Sequence, residues 1–526
     1  MLLTRRHFTA LAGAMALATS ALAVQAVQAQ DGTFVTVQAN EPRGLVPTVV
    51  NDGPAHAIGN NFFSRLVAFD LGGTVYGDLA DSWEVSDDFT TYTFHLNKDA
   101  TFHDGQPLTS ADVKFTYDLV RQDPKFPGNP YLRTVTQIDT PDDHTVVMTL
   151  EKSDVAWLPM LALAGNWALA VLPKHLYEGT DVFTNPHNRE PVGSGPFRFQ
   201  EWQAGSYVSA VAYDEYFRGR PRADEVVVMI MPDPNVVLQA FTAGELDQLP
   251  YEYTPPYNEL PRWEQTEGVS LNAPPFLYDR NISFNVTKPP FDDQRVRDAI
   301  ALIVDREAIN DVTLNGYWYP QYTAGIDAVP EYLNRDATFP LEPDIEKAMA
   351  LLDEAGYPAG ADGVRFSFDF FSTPYISDKL IAEALREQFR QVGIQANMSD
   401  MDWATWISRM QEGDWQASID YVRYAPDPFN YNDLFATDGG RNYKGYSNPE
   451  LDAILEAAVG ETDTAKRHEL YNQVQEILVH DKPYIVLFNA VNVDMTRNGW
   501  KGTPYDPDSY NKAVTWMGWY NLHREE

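Results

Sequence analysis

The side chains able to do chemistry gather in a few short stretches of this 526-residue chain. Tyr421-Val422-Arg423-Tyr424-Ala425-Pro426-Asp427-Pro428 sets aromatic, cationic and acidic groups close together. Arg423 offers a planar fork to a carboxylate or phosphate, although a strand-end arginine also serves as a solvated or structural charge. Asn51-Asp52-Gly53-Pro54-Ala55-His56 has the Gly and Pro of a loop that lets backbone approach a ligand. A plain exposed turn would read the same way. Trp403 and Trp406 could stack on sugars or aromatic groups, yet with Ile407 and Met410 they recur at helical spacing, the pattern of a core stripe. Trp318, in Gly316-Tyr317-Trp318-Tyr319-Pro320 with Tyr322 nearby, follows no such period and is the better candidate to wall a pocket.

Catalytic signatures are missing. The sequence has no GxSxG elbow, no HExxH, no Walker loop and no GxGxxG, so no catalytic residue and no cofactor is assigned. Ser194 stands between two glycines, but Gly-Ser-Gly-Pro before a strand is a turn, not a strand-to-helix elbow. His103 beside Asp104 reads as a polar turn ahead of a capped helix. No His/Asp cluster at ligand spacing supports a metal site. Choosing two of 75 acids as a glycosidase pair has no basis in spacing.

The elements that must carry these residues follow from periodicity. Tyr92, Phe94 and Leu96 alternate with polar residues, as do Val146, Met148 and Leu150, predicting half-buried antiparallel strands. Between them Thr109 and Asp112 form a capping-box start, with Val113, Tyr117 and Val120 on one helical face. Further on, Asp344 opens a helix whose Ile345, Met349 and Leu352 share a face, ended by Gly356 and Pro358. Ile381, Leu385, Phe389 and Val392 stripe another helix, stopped by Gly393 before the strand Ile394, Ala396, Met398. Trp415, Ala417, Ile419 and Tyr421 alternate as a strand. Leu470, Val474, Ile477 and Leu478 line a helix that Pro483 breaks, and Tyr484–Phe488 is a short apolar strand. Tyr253–Pro261 is a Pro-rich loop. Helix–Gly–strand–helix–strand is the order of an α/β lobe with a buried sheet.

Composition narrows the setting. Lys and Arg number 39 against 75 Asp and Glu, a formal charge of −36, which excludes a phosphate backbone or an anionic lipid surface as partner. There is no cysteine, hence no disulfide, no thiolate site and no lipid-modified N-terminus. Thr4-Arg5-Arg6-His7-Phe8 is a basic head with a twin-arginine pattern, followed by an uncharged run to Val24 and small residues up to Ala29. That order is a cleavable export signal over residues 1–29. The run is too short and too alanine-rich to span a membrane, which takes about 20 strongly apolar residues. The mature length implies two or three domains.

Longer motifs resemble a binding family. Leu79-Ala80-Asp81-Ser82-Trp83-Glu84-Val85-Ser86-Asp87, then Tyr92-Thr93-Phe94-His95-Leu96, are similar to the bacterial family 5 extracellular solute-binding proteins. The likeness continues through Phe102-His103-Asp104-Gly105, Gly193-Ser194-Gly195-Pro196-Phe197, Phe241-Thr242-Ala243-Gly244-Glu245-Leu246-Asp247, Pro289-Pro290-Phe291-Asp292-Asp293 and Tyr443-Lys444-Gly445-Tyr446-Ser447-Asn448-Pro449. It implies an α/β fold: a two-lobed periplasmic binding protein of type II, with an inserted third α+β domain. Lobe I would take 31–70, 190–280 and 489–526, the insert 71–189, and lobe II 281–488, with crossings at Ser283-Phe284-Asn285 and in Tyr484–Phe488.

The same resemblance implies a periplasmic monomer that captures a small organic solute between closing lobes. It would hand that solute to an ABC permease and its ATPase subunits. Peptide-binding relatives place an aromatic and, three residues later, an acid ahead of an Asp/Glu-Pro step, the acid taking the peptide's amine. Here Tyr421 keeps the aromatic, but Tyr424 stands in place of the acid. Either Asp420 or Asp427 substitutes, or the solute has no free amine there. The candidate ligand residues are Asp52, Gly53, His56, Trp318, Trp403, Trp406, Tyr421, Arg423, Tyr424 and Asp427. Cargo stays open between a peptide-like solute and an oligosaccharide, opine or other organic anion. A secreted glycoside hydrolase is the remaining alternative.

Overall fold

Thr33–Gln38 is buried at all positions, and its alternate residues serve two different cores. It pairs in parallel with Glu225–Ile230, which continues antiparallel to Tyr207–Ala212 and then Phe197–Gln203. Successive side chains of a strand point to opposite faces. Phe34, Val226 and Val228 therefore pack toward the inserted unit, while Val35, Val37 and Val227 pack into the cluster that runs on through the second lobe. The structure is a computed structural model, and it describes residues 32–69, 74–165, 167–327, 330–373, 375–424, 427–506 and 518–525. The expected export segment, 1–29, lies outside them. Among the described residues no helix is long and apolar enough to cross a membrane.

The inserted unit has the antiparallel order Ala80–Val85, Thr91–Leu96, Thr145–Leu150, Val135–Asp142. Its alternating apolar residues are buried, as expected. Ser110–Gln122 covers the sheet with Val113, Tyr117 and Val120 inward, and Asp112 accepts the Thr109 N–H at 2.9 Å to close the capping box. Gly193-Ser194-Gly195 docks this unit on the first lobe. A Cβ on Gly193 or Gly195 would overlap the backbone of Asn61–Phe63, so only glycine permits the approach. Ser194 is fully buried, its hydroxyl accepting from the Ser64 N–H, and it has no access to a substrate. His103 bridges the same turn: Nδ1 accepts the Gly193 N–H, and Nε2 lies 3.0 Å from the Gly195 carbonyl. Burial pushes the ring down to about 4, so it is neutral at ordinary pH.

The second lobe is built on a six-stranded sheet in the order Tyr319–Pro320, Tyr484–Val491, Pro275–Phe284, Ala417–Asp420, Phe366–Phe371, Ile394–Ser399. Phe366–Phe371 runs parallel to its two neighbours, and the other pairings are antiparallel. The predicted helices are Ile345–Glu354, Ile376–Gln391, Trp403–Glu412 and Thr464–Asp481. Asp344, Asp402 and Asp463 cap three of them by accepting first-turn N–H groups. Gly413, at φ 68°, ends the helix ahead of Ala417–Asp420.

Two strands carry the chain between lobes, and the crossings differ from expectation. Val269–Asn272 and Asp494–Arg497 belong with Gln248–Leu249 to a three-stranded sheet of the first lobe. Pro275–Phe284 and Tyr484–Val491 belong to the six-stranded sheet. The changes of sheet fall at Ala273-Pro274 and Asn492-Val493, not at Ser283–Asn285 or within Tyr484–Phe488. The cause is strand pairing: it runs from Pro275↔Val491 to Ser283↔Tyr484 and takes 275–280 and 489–491 into the second sheet. The Pro-rich stretch contains short turns at Tyr251–Tyr253 and Tyr257–Glu259 and a helix at Leu260–Glu264.

Candidate functional site

A cavity of about 250 Å³ lies where the crossing strands meet both lobes. Phe276, Tyr278 and Arg280 face it from one edge of Pro275–Phe284, at the spacing of two that a strand dictates. Tyr251, Glu252 and Tyr257 close it from the first lobe; Trp318, Tyr375 and Tyr421 close it from the second. The walls are thus mainly aromatic, with one guanidinium and one carboxylate among them.

Arg280 is the central feature. Its Nε donates to Asp378 Oδ1 at 2.7 Å, and Nη1 donates to the Asp279 carbonyl at 3.1 Å. Asp378 is fully buried; Thr373 and Ser377 hydroxyls also donate to it. The guanidinium carbon stands 5.8, 5.7 and 5.6 Å from the ring centres of Trp318, Tyr375 and Tyr421. One edge of the cation is therefore fixed by an anion and its faces by rings, while the side chain stays 11% exposed on the cavity. Such a group can receive a planar anion without searching for its rotamer. Glu252 lines the cleft as an exposed residue, but its carboxyl is crowded enough to lose water, which raises it above the usual carboxylate range, while a hydrogen bond from the Ala39 backbone N–H acts the other way.

Several residues singled out in the sequence fall here. Trp318 lines the cavity, its Nε1 donating to the Tyr257 hydroxyl at 2.9 Å. Tyr421 lines it too. Trp403, 40% exposed, lies at the rim and stacks on Tyr421 with ring centres 6.1 Å apart. Trp406 takes the other outcome: it is core, its Nε1 donating to the Ser418 hydroxyl.

Others sit elsewhere. Tyr424 is buried and does not line the cavity; its hydroxyl donates to Asp279 Oδ2 at 2.9 Å. Asp427 is buried in an ion pair with Arg467 at 2.7 Å. Asp420 accepts the Tyr421 N–H and the Ser283 hydroxyl and pairs with Lys444 at 3.5 Å. Both carboxylates are engaged within the protein, and neither lines the cavity. Asp52 caps the helix Gly53–Gly59 through the Ala55 N–H at 2.7 Å and pairs with Arg43. The stretch read as a loop is thus a helix start, and a Cβ on Gly53 would meet nothing. His56 is buried with Nε2 3.1 Å from the Val50 carbonyl, and burial lowers its pKa. Arg423 leaves the second lobe to lie over the Trp167 ring at 4.6 Å.

Sequence reading missed Arg280, Tyr278, Glu252, Tyr375 and Asp378. The alternation Phe276, Tyr278, Arg280 was the available signal, and it leads straight into the Ser283-Phe284-Asn285 crossing that was noticed. The strand also hides an acid on its opposite face. Asp279 accepts from Asn281, Val422 and Tyr424, and burial pushes its carboxyl up to about 6.

The comparisons agree with this architecture. Residues 74–443 match the model of the bacterial extracellular solute-binding proteins, family 5 Middle. The chain belongs to that family. It is 29% identical to heme-binding protein A of Haemophilus influenzae, over 93% of this chain and 92% of that protein. It is also 29% identical to the dipeptide-binding protein of Escherichia coli, over 92% and 94%. The solved structure of the oligopeptide-binding protein AppA from Bacillus subtilis, in complex with a nonapeptide, superposes with a TM-score of 0.77 at 26% identity, covering 94% of this chain and 99% of that one. The family consists of extracellular solute-binding proteins, and this member binds a solute in that role.

Proposed function

We propose that the cavity takes a short peptide or peptide-like zwitterion, its carboxylate on Arg280 and its amine toward Glu252. The observation that carries this reading is that one guanidinium, Arg280, and one carboxyl, Glu252, line a single aromatic-walled space of about 250 Å³. A hydrogen bond to a charged group contributes about 1.5–3 kcal/mol, and each end of a zwitterion would gain one. The fit to peptide-binding relatives supports the same class. The loaded protein passes its solute to a membrane permease and its ATPase subunits. It works as a periplasmic monomer, exported by residues 1–29 and not anchored by lipid.

Isothermal titration of the purified protein with alanyl-phenylalanine, its C-terminal amide and its N-acetyl form tests the reading. Amidation should weaken binding at least tenfold, a loss of about 1.4 kcal/mol. Equal binding of the acid and the amide would sink the proposal. Tyr424 in place of the family's acid favours a second reading, an organic anion without an amine. On that reading N-acetylation costs nothing while amidation still abolishes binding.

A further inference from the structure

Two neighbouring residues of the second lobe reach across to one short segment of the first. Trp318 Nε1 donates to the Tyr257 hydroxyl at 2.9 Å, and the Tyr317 hydroxyl donates to Glu264 Oε1 at 2.8 Å. The first bond belongs to the cavity wall, since Trp318 and Tyr257 both line it. The second lies outside it: neither Tyr317 nor Glu264 lines the cavity, and Glu264 is exposed to solvent. The cargo reading above makes no use of this outer bond.

Each end of it is anchored in its own lobe. Asn315 and Gly316, at φ 52° and 76°, turn the chain after the helix Arg306–Thr313. Asn310, buried in that helix, then grips the backbone of Trp318. Its amide donates to the Trp318 carbonyl at 2.7 Å, and its oxygen accepts the Trp318 N–H at 3.2 Å. Opposite, Glu264 ends the helix Leu260–Glu264, which Leu260 and Trp263 fasten to the first lobe. Trp263 packs on Phe241 with ring centres 5.7 Å apart. Pairing of Tyr319 with Asn489 sets the turn beside the strand that leads to the Asn492-Val493 crossing. With backbone held on both sides, separation of the lobes stretches the Tyr317–Glu264 bond, and no such bond survives at about 3.6 Å.

We propose that Tyr317 and Glu264 are positioning residues for solute capture: their bond holds the empty protein in the closed, binding-competent arrangement and so raises affinity without touching the solute. The apparent dissociation constant is the intrinsic one divided by the fraction of molecules in the competent state. A contact that raises this fraction tightens every solute by the same factor, whatever its chemistry, so the inference does not depend on the cargo.

The chain has no cysteine, so Glu267→Cys and Asp311→Cys, both exposed and one in each lobe beside the bond, take spin labels at two defined positions. The labelled protein is refolded from urea to strip carried-over solute. Electron paramagnetic resonance then measures the label–label distance in this parent, with Tyr317→Phe, with Glu264→Ala, and with both. The parent should favour the shorter distance, and each single variant should move the closed-to-open ratio about two- to tenfold toward the longer one. The double variant should move no further than either single, because one shared bond is lost. Identical distances in parent and variants overturn the proposal, as does a double shift equal to the sum of the two singles. No solute is added, so failure of the cargo reading leaves this result standing.

Discussion

Among the described residues three arginine–aspartate pairs are buried, and they are not equivalent. Arg65–Asp78, at 3.3 Å, and Arg467–Asp427, at 2.7 Å, are enclosed on every side. Arg280–Asp378 has the same chemistry, but its cation borders a cavity. An enclosed pair recovers by mutual attraction part of what both ions lost on leaving water, and replacing such a pair with apolar groups is often harmless. A pair with one open edge keeps some attraction unspent for an anion from outside. Burial alone therefore does not mark a binding arginine; the marker is a cation pinned on one side and accessible on the other.

The comparison can be broken most forcefully at an enclosed pair. Asp78→Ala strands Arg65 without its counter-charge and should cost about 3–5 kcal/mol in urea unfolding. Next comes the open pair. Arg280→Met should lose at least tenfold in affinity for a free-carboxylate peptide, and it should also lose stability because Asp378 is left unpaired. Adding Asp378→Leu should return most of the stability and none of the affinity. If affinity returns as well, Arg280 is a structural residue and the contrast fails. The smallest effect is a change of slope with pH. His103 is held near 4 when folded and titrates near 6.5 when unfolded, so the unfolded chain binds more protons in between. Stability from this ring is present above about 6.5 and is lost as pH falls toward 4. His103→Gln should flatten that limb in urea titrations across the window. Asp279 acts with the opposite sign: held up to about 6, it withdraws stability as pH rises from about 4 to 6.

Much of the scaffold was legible because periodicity reports one local fact, which face is apolar. Asp344, Gly393 and Pro483 punctuate the second lobe where the sequence placed its helix ends. The Thr109–Asp112 cap and the alternating strands of the inserted unit followed from the same rule. Site residues were harder, because their roles depend on partners far along the chain. Arg280 meets Asp378 across 98 positions, and Tyr424 meets Asp279 across 145. Nothing near Tyr424 announces that its hydroxyl serves a buried carboxylate instead of a ligand. Trp403 and Trp406 make the same point, since one helical stripe delivers one ring to the rim and the other to the core. The sheet crossings were misplaced because an apolar run does not disclose where its neighbour stops.

The two crossings are unequal in a way the sequence dictates. One passes through Ala273-Pro274-Pro275, where two rings fix φ and each proline also restricts the residue before it. The other passes through Asn492-Val493, which carries no such constraint. Rotation of one half against the other must then be absorbed unevenly, by a stiff strut on one side and a pliant joint on the other. Such a mounting would steer any swing of one half against the other through the pliant joint, so the path of closure would be set by the two crossings and not by the ligand.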